Sequence, residues 1–186
     1  MPDIANAKIL IVATHGFEQS ELEAPRDRLR AQGAEVHVAT LDGQAIRGWE
    51  GSDWGREAEA DLKIADADAT RYHALVIPGG QINPDLLRVE AEAIALVKAF
   101  DTQGKPIAAI CHGPWVLVEA GLCGGREMTS YHSIRTDLVN AGAKWMDSPV
   151  VQDRNLITSR NPGDLEAFVA KIVEDIETGV PGTRAA

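Results

Sequence analysis

The chain has 186 residues, of which 45% are hydrophobic and 25% are charged, and its formal net charge is −10. This composition is typical of a folded globular protein, and the length favours one domain spanning residues 1–186. The negative charge argues against a nucleic-acid-binding surface, which needs clustered lysine and arginine. No apolar run approaches the roughly 20 residues of a membrane span. We therefore expect neither a nucleic acid nor a membrane as a partner.

The amino terminus and the cysteines bear on the cellular compartment. Met1-Pro2-Asp3-Ile4 lacks the basic and apolar regions of an export signal. Cys111 and Cys123 are the only cysteines, and no disulfide framework can be recognised in their spacing, which favours a reducing compartment. We therefore expect a cytoplasmic protein.

Apolar runs alternate with amphipathic stretches of helical length, a pattern that predicts βα units around a parallel sheet. The expected fold is a three-layer α/β sandwich of flavodoxin-like type, with a central and mostly parallel sheet. In chain order, the predicted elements are a strand at 8–13, a helix that begins near Ser20, strands at 35–40 and 75–77, a helix at 85–103, a strand at 107–110, helices at 114–120 and 134–141, short strands at 144–146, 150–152 and 156–158, and a helix at 162–178.

Local signals refine this pattern at a few places. Ser20-Glu21-Leu22-Glu23 resembles a capping box at the start of the first helix. Pro25 removes a backbone donor inside that helix and predicts a bend or a later start. Residues 42–68 are polar and rich in glycine, and no element is assigned there. The tail at 179–186 is expected to fray.

The most informative segment is Ala109-Ile110-Cys111-His112-Gly113, between a predicted strand and a predicted helix. Small residues two positions before and after the cysteine permit a sharp turn that would present the thiol at the carboxyl end of the sheet. The free N–H groups of the helix would favour the thiolate, the reactive form of cysteine. The alternative is a buried thiol that acts only as a small hydrophobic group. Cys123, at a helix end before two glycines, is interpreted as structural.

No pattern in the chain indicates a metal or a cofactor. His15, His37, His73 and His132 lack the spacing of metal ligands. Neither a P-loop nor a dinucleotide-binding motif is present. We therefore predict a site that works without either group.

Two carboxylates could act beside the thiol. Glu18 and Glu21 are three residues apart and share a helix face if the helix has begun there. The alternative is that they only complement the dipole of the first helical turn. A carboxyl group kept protonated in a dry site would donate a hydrogen bond to the thiolate and stabilise it.

His112 directly follows the cysteine, and adjacent side chains on a helix point about 100° apart. An intimate pair of thiol and imidazole is therefore not expected, and we assign to His112 a backbone N–H that binds an oxyanion. Gly80, in Pro78-Gly79-Gly80 after a strand, is the expected second donor. The same three residues would also suit an ordinary turn.

Several of these segments together match a known family. They are Phe17-Glu18, Glu21, Pro25, Val76-Ile77-Pro78-Gly79-Gly80, Lys105-Pro106, Ala109-Ile110-Cys111-His112-Gly113-Pro114 and Thr158-Ser159-Arg160. In order and spacing, over nearly the whole chain, this set resembles the DJ-1/PfpI family. It is most similar to the bacterial and archaeal PfpI-like branch, whose members are often labelled intracellular protease I or general stress protein.

The resemblance implies a glutamine-amidotransferase-like α/β fold and a homodimer. In some members a hexamer forms, in which an acidic residue after the glycine pair reaches a neighbour's histidine. The site residues that the resemblance implies are Cys111 as nucleophile, Glu21 as its acidic partner, Glu18 nearby, Gly80 and His112 as oxyanion donors, Tyr131 as a pocket residue, and Asp85 close to the position of the acidic residue.

The chain departs from the family pattern at three positions. Asp85 lies one residue further along than the usual glutamate and is one methylene shorter, which weakens the case for an inter-subunit triad and for peptidase activity. Trp115 replaces a common glutamine, and His132 replaces a common proline. These two changes are expected to reshape the pocket or an interface.

Three functions remain open from the sequence. The first is an enzyme of glyoxalase or deglycase type, in which the thiolate attacks an aldehyde and Glu21 moves a proton between neighbouring carbons. The second is an intracellular cysteine peptidase, in which His112 must protonate the departing amine. The third is a redox-responsive stress protein without catalytic activity, in which Cys111 is oxidised. We rank carbonyl chemistry first and redox sensing third.

Overall fold

A computed structural model describes residues 2–179 of the chain. The strands are β1 (Lys8–Val12), β2 (Glu35–Thr40), β3 (Ile46–Glu50), β4 (Asp53–Ala58), β5 (Leu62–Lys63), β6 (Ala74–Ile77), β7 (Ile107–Ile110), β8 (Glu127–Met128), β9 (Lys144–Trp145), β10 (Val150–Asp153) and β11 (Leu156–Ser159). The α-helices are α1 (Gln19–Ala31), α2 (Ile82–Leu87), α3 (Ala91–Thr102), α4 (Pro114–Glu119), α5 (Arg135–Asn140) and α6 (Leu165–Thr178).

Seven strands form the central sheet, in the order β10-β11-β7-β6-β1-β2-β5. All neighbouring pairs are parallel except β10 and β11, which are antiparallel. The predicted α/β fold with a mostly parallel sheet is therefore confirmed. Because the crossover helices cover both faces of such a sheet, its central strands are apolar on both sides.

Alternate side chains of the strands pack into two separate hydrophobic cores, one on each face of the sheet. In β1, Ile9 and Ile11 pack with the buried faces of α1 and α6, whereas Leu10 and Val12 pack with α3 and α4. This alternation follows from the two-residue period of a strand. The result is a three-layer sandwich in which the sheet lies between two sets of helices.

The single helix predicted at 85–103 is wrong. The structure has two helices there, α2 and α3, separated at Glu90, which has extended backbone angles (φ −90°, ψ 111°) and caps α3. Leu86 and Val89 match the apolar spacing of the predicted helix, but they are exposed, Val89 by 75%. The apolar spacing continues across the break between α2 and α3, and it therefore predicted one helix where there are two with different buried faces.

The predicted capping box at Ser20 is also wrong. Helix α1 begins at Gln19, after Glu18, which has extended backbone angles. The Ser20 hydroxyl lies inside the first turn and donates to Glu18 Oε1 at 3.4 Å instead of capping a backbone N–H. The helix continues through Pro25 without a later start.

The unassigned segment at 42–68 contains an antiparallel hairpin of β3 and β4. The hairpin is tied to the start of α1, because the buried Gln19 accepts a hydrogen bond of 2.7 Å from the Arg56 N–H. The N–H of Trp49 donates to the Phe17 carbonyl, also at 2.7 Å. These bonds hold the hairpin beside the carboxyl end of β1.

Within residues 2–179, no helix combines the length and apolarity that crossing a membrane requires. The frayed tail predicted at 179–186 lies, beyond Gly179, outside the described residues.

Candidate active site

Three neighbouring strands, β1, β6 and β7, end at one edge of the sheet, where ligands of open α/β sheets bind. The loops after these strands surround a cavity of about 590 Å³. Its lining comes from loops, helix starts and the hairpin: Gly16, Glu18, Glu21, Trp49, Gly51, Gly80, Gln81, Ile82, Cys111, His112, Tyr131 and Pro162.

Cys111 occupies the sharp turn between β7 and α4. Its φ of 63° is unusual for a residue with a side chain, and such strained angles often mark functional positions. Two backbone bonds fix the turn: the Cys111 N–H donates to the Ser159 carbonyl at 3.0 Å, and the Tyr131 N–H donates to the Cys111 carbonyl at 2.9 Å. The residue is only 7% exposed and its exposed part faces the cavity.

The glycine pair after β6 leaves room for this turn. A Cβ atom at Gly79 would lie 2.5 Å from Glu21 Oε2 and 2.6 Å from the Cys111 Cβ. Gly80 has a φ of 78°, and a Cβ there would lie 2.7 Å from the Glu18 backbone nitrogen. A side chain at Gly79 would therefore separate the acid from the thiol, and one at Gly80 would push the loop after β1 away.

Glu21 lies inside the first turns of α1 and is completely buried. Its Oε2 atom accepts a hydrogen bond of 2.9 Å from the Gly79 N–H. Its Oε1 atom is buried without a well-aligned hydrogen bond to any described residue. The Cys111 side chain lies close enough to Glu21 to form a hydrogen bond with it. This bond lowers the pKa of Glu21 and raises the pKa of Cys111.

The environment of Glu21 favours a neutral carboxyl group. Burial, and to a smaller extent the charge of Glu18, raise the pKa of Glu21 to about 8, although the Gly79 N–H and Cys111 act in the opposite direction. The carboxyl group is then largely protonated at neutral pH. This is the protonated acid in a dry site that the sequence suggested.

The expectation of a lowered thiol pKa is wrong for the resting site. Burial and the charge of an ionised Glu21 raise the pKa of the Cys111 thiol, while the N–H groups of Gly80 and His112 lower it by less. The helix N–H groups do favour the thiolate, but desolvation outweighs them. Protonation of Glu21 removes this repulsion and leaves burial as the main cause of the raised thiol pKa.

The prediction that His112 would not pair with the cysteine is wrong as well. Its Nδ1 atom lies 3.2 Å from Cys111 Sγ. The rule for adjacent helical residues does not apply, because Cys111 has a positive φ and lies outside the helix. Burial and the nearby His132 lower the pKa of His112, so a neutral imidazole faces the thiol.

Three side chains that the sequence did not single out for this purpose hold the His112 ring. Tyr131 stacks on it with centroids 4.9 Å apart, and Trp115 meets it edge-on at 5.2 Å. The Ser133 hydroxyl lies 3.1 Å from its Nε2 atom. Tyr131, which the family resemblance implies as a pocket residue, also lines the cavity. No signal in the sequence identified Ser133.

Glu18 and Trp49 form part of the cavity wall at its rim. Glu18 is half-buried, and burial raises its pKa. Trp49 reaches the cavity from β3 and meets Trp54 edge-on at a centroid distance of 5.6 Å. The sequence contains a signal for this hairpin, because Trp49 and Trp54 stand on either side of Gly51-Ser52. No feature of the sequence indicates that Trp49 lines the cavity.

Asp85 does not join the other candidate residues. It lies in α2 with an exposed side chain and is not among the residues that line the cavity. Helix α2 contributes Ile82 to the lining instead. Within residues 2–179, no group of three or more His, Cys, Asp or Glu side chains is arranged to hold a metal ion.

The sequence and the fold are similar to those of known proteins. Residues 7–175 match the DJ-1/PfpI family. The chain belongs to this family. It is 41% identical over 167 residues to the deglycase TK1284 of Thermococcus kodakarensis, covering 90% of this chain and 98% of the relative. It is 42% identical over 164 residues to general stress protein 18 of Bacillus subtilis, covering 87% of this chain and 92% of the relative.

A solved DJ-1 structure agrees with this membership. Drosophila melanogaster DJ-1beta superimposes with a TM-score of 0.84 at 32% identity, and the match covers 92% of this chain and 90% of that chain. The resemblance to the DJ-1/PfpI family, seen in the sequence through its motifs, is therefore confirmed.

Proposed function

We propose that this DJ-1/PfpI protein is a cysteine-dependent enzyme that acts on small reactive carbonyl compounds, with a reaction of glyoxalase or deglycase type. The proposal is carried by one observation: a thiol, an imidazole and a buried carboxyl group meet at one cavity. The name of the Thermococcus relative, a deglycase, supports the same chemistry.

The first step forms a bond between sulfur and carbon. The Cys111 thiol passes its proton to His112 Nδ1, 3.2 Å away, as the sulfur attacks the aldehyde carbon. The π electrons of the carbonyl move to its oxygen, which takes the proton of Glu21. In this step the N–H groups of Gly80 and His112, which lie beside the sulfur, stabilise the developing oxyanion. The product is a neutral hemithioacetal with Glu21 ionised.

The second step moves hydrogen between two carbons. In a 2-oxoaldehyde, the ionised Glu21 takes the proton from the carbon bound to sulfur, and the second carbonyl oxygen is protonated by His112. Glu21 then returns its proton to the neighbouring carbon, and His112 takes the proton of the first oxygen, which leaves a thioester. Water hydrolyses the thioester to a 2-hydroxy acid, and Cys111, His112 and Glu21 recover their starting protons.

The test is consumption of methylglyoxal by purified protein without glutathione, followed as formation of lactate. We expect turnover by the wild type and its loss in Cys111→Ala. Cys123→Ala is the matched control, because Cys123 is buried in the other hydrophobic core and does not line the cavity. Absence of turnover in the wild type, or equal turnover in Cys111→Ala, would refute the proposal.

Cysteine peptidase activity is the second candidate, and the contact between Cys111 and His112 favours it. Amide cleavage needs an acid to protonate the departing amine, and an imidazole that has taken the thiol proton could supply it. The exposed Asp85, which does not line the cavity, gives no support within the chain. Hydrolysis of fluorogenic peptides by the wild type, absent in Cys111→Ala, would establish this activity.

The proposal also covers the oligomeric state of the protein and its place in the cell. We infer a cytoplasmic homodimer, or a hexamer, whose partners are small carbonyl or peptide substrates. Both cysteines are free thiols, which suits a reducing compartment. Sedimentation of the purified chain would measure its oligomeric state.

A further inference from the structure

His112 uses both of its ring nitrogens within its own chain. Nδ1 lies 3.2 Å from Cys111 Sγ, and Nε2 lies 3.1 Å from the hydroxyl oxygen of Ser133. Thiol, imidazole and hydroxyl thus form a continuous row of hydrogen-bonding groups.

Ser133 is positioned by the same segment that fixes the nucleophile. It lies in a single 3-10 turn, His132–Ile134, directly after Tyr131. The Tyr131 N–H donates to the carbonyl of Cys111, and Ile134 is buried in the core. The backbone of Ser133 is therefore held close to the turn of Cys111, and its hydroxyl, on an exposed residue, is placed by the hydrogen bond to His112.

The ring between them has little freedom to turn. His112 is 4% exposed, with Tyr131 against its face and Trp115 against its edge. Trp115 is itself held by a hydrogen bond of 2.7 Å from its indole N–H to Asp137 Oδ2. With the ring plane fixed by packing, the hydrogen-bond partners of Nδ1 and Nε2 together decide which nitrogen carries the proton.

We propose that Ser133 is a positioning residue that directs proton exchange between His112 and Cys111. A hydroxyl group can both donate and accept a hydrogen bond. While the thiol keeps its proton, S–H donates to Nδ1 and the Nε2–H donates to the Ser133 oxygen. When the thiol proton moves to Nδ1, the S–H bond breaks and an Nδ1–H bond forms. The Nε2–H of the resulting imidazolium still donates its hydrogen bond to the Ser133 hydroxyl oxygen.

The identity of this partner changes the chemistry of the imidazole. A carboxylate can only accept, and its charge would favour a permanent imidazolium. A neutral hydroxyl leaves the imidazole neutral in the resting site and lets it take the thiol proton only as the sulfur reacts. Asp85, the acidic residue considered from the sequence, makes no hydrogen bond to His112 in the described part of the chain.

The test compares Ser133→Ala with Ser133→Thr, which keeps the hydroxyl. Thr136→Ala is the matched control, because Thr136 lies three residues further on, is exposed, and does not line the cavity. The first measurement is the ¹⁵N chemical shifts of the two His112 ring nitrogens at neutral pH. We expect both shifts to change in Ser133→Ala and to return toward wild type in Ser133→Thr.

The second measurement is methylglyoxal turnover, and this arm alone rests on the proposed function. We expect kcat to fall about tenfold in Ser133→Ala with KM nearly unchanged, since one hydrogen bond to the reacting imidazole is lost. Ser133→Thr should recover to within about threefold, and Thr136→Ala should match wild type.

The two arms separate the two proposals. If the wild type does not consume methylglyoxal, the proposed function fails, and the nitrogen shifts still decide the role of Ser133. Unchanged shifts in Ser133→Ala, or equal shift changes in the alanine and threonine variants, would overturn the role of its hydroxyl.

Discussion

Glu21 and Gly79 are joined by a hydrogen bond of 2.9 Å in which the glycine N–H donates to Glu21 Oε2. Because that oxygen accepts, the proton of the neutral acid belongs on Oε1, the oxygen that has no other well-aligned partner among the described residues. The bond thus orients an acid on α1 toward a thiol on the turn after β7. Its consequences can be measured.

Alkylation of Cys111 should report the proton of Glu21. In the wild type we expect the rate of Cys111 alkylation by iodoacetamide to rise with pH and to level near pH 8. The pKa of Glu21 is raised to about 8, so above this pH Glu21 and Cys111 share a single proton between them. In Glu21→Gln this break should disappear, since the amide keeps the acceptor for Gly79 but cannot ionise. Mass spectrometry of the labelled peptide measures the rate at Cys111 alone. The same break in both proteins would contradict the coupling.

Stability should depend on pH through the same acid. The native pKa of Glu21 is about 8, above its ordinary 4.5. Between these values the native state holds a proton that the unfolded chain has lost, so this residue makes the protein less stable as pH rises toward 8. Relative to wild type, Glu21→Gln should therefore gain roughly 1–4 kcal/mol in its free energy of unfolding between pH 5 and pH 8.

Urea denaturation at the two pH values measures this difference. Asp175, another buried carboxyl group with a raised pKa, is present in both proteins, so its contribution cancels. A constant difference in unfolding free energy between wild type and Glu21→Gln at both pH values would show that Glu21 ionises normally.

Trp49 should affect substrate binding rather than chemistry. It lines the cavity from β3 but lies on a different element from Cys111, His112 and Glu21. Trp49→Ala should raise KM for methylglyoxal roughly 3- to 10-fold with little change in kcat, because an aromatic contact to the bound substrate is lost. Trp54→Phe is the control, since Trp54 is 40% exposed and does not line the cavity. A fall in kcat without a change in KM would contradict this role.

Oxidation should be confined to one cysteine. Cys111 opens to the cavity, whereas Cys123 is 1% exposed and does not line the cavity. Mild peroxide should therefore add one or two oxygen atoms to Cys111 in the wild type and in Cys123→Ala, and none to Cys123 in Cys111→Ala. Mass spectrometry of the cysteine-containing peptides locates the oxygen and separates it from oxidation of methionines such as the exposed Met146. Oxygen found on Cys123 in Cys111→Ala would show that Cys123 is accessible.

Much of the fold could be predicted from the sequence, because strands buried on both faces are local apolar runs. The strands containing Ile9, Val76 and Ala108 were found in this way, with their neighbouring helices. The helix predicted at 85–103 failed because spacing alone cannot show which face of a segment meets the core. The hairpin at Trp49 was not assigned, since its strands are mostly exposed and lack a regular apolar alternation.

The sequence by itself predicted which thiol occupies the turn, because the small residues around Cys111 are a local feature. It left Glu18 and Glu21 open as the acid, and only the resemblance to the DJ-1/PfpI family singled out Glu21. Only the tertiary structure decided the proton arrangement. Burial, which depends on all surrounding elements, raises the pKa of both Glu21 and Cys111. The positive φ of Cys111 turns His112 onto the thiol, and Ser133 reaches the ring from a segment 21 residues away. These effects arise from contacts between distant parts of the chain, which no local pattern encodes.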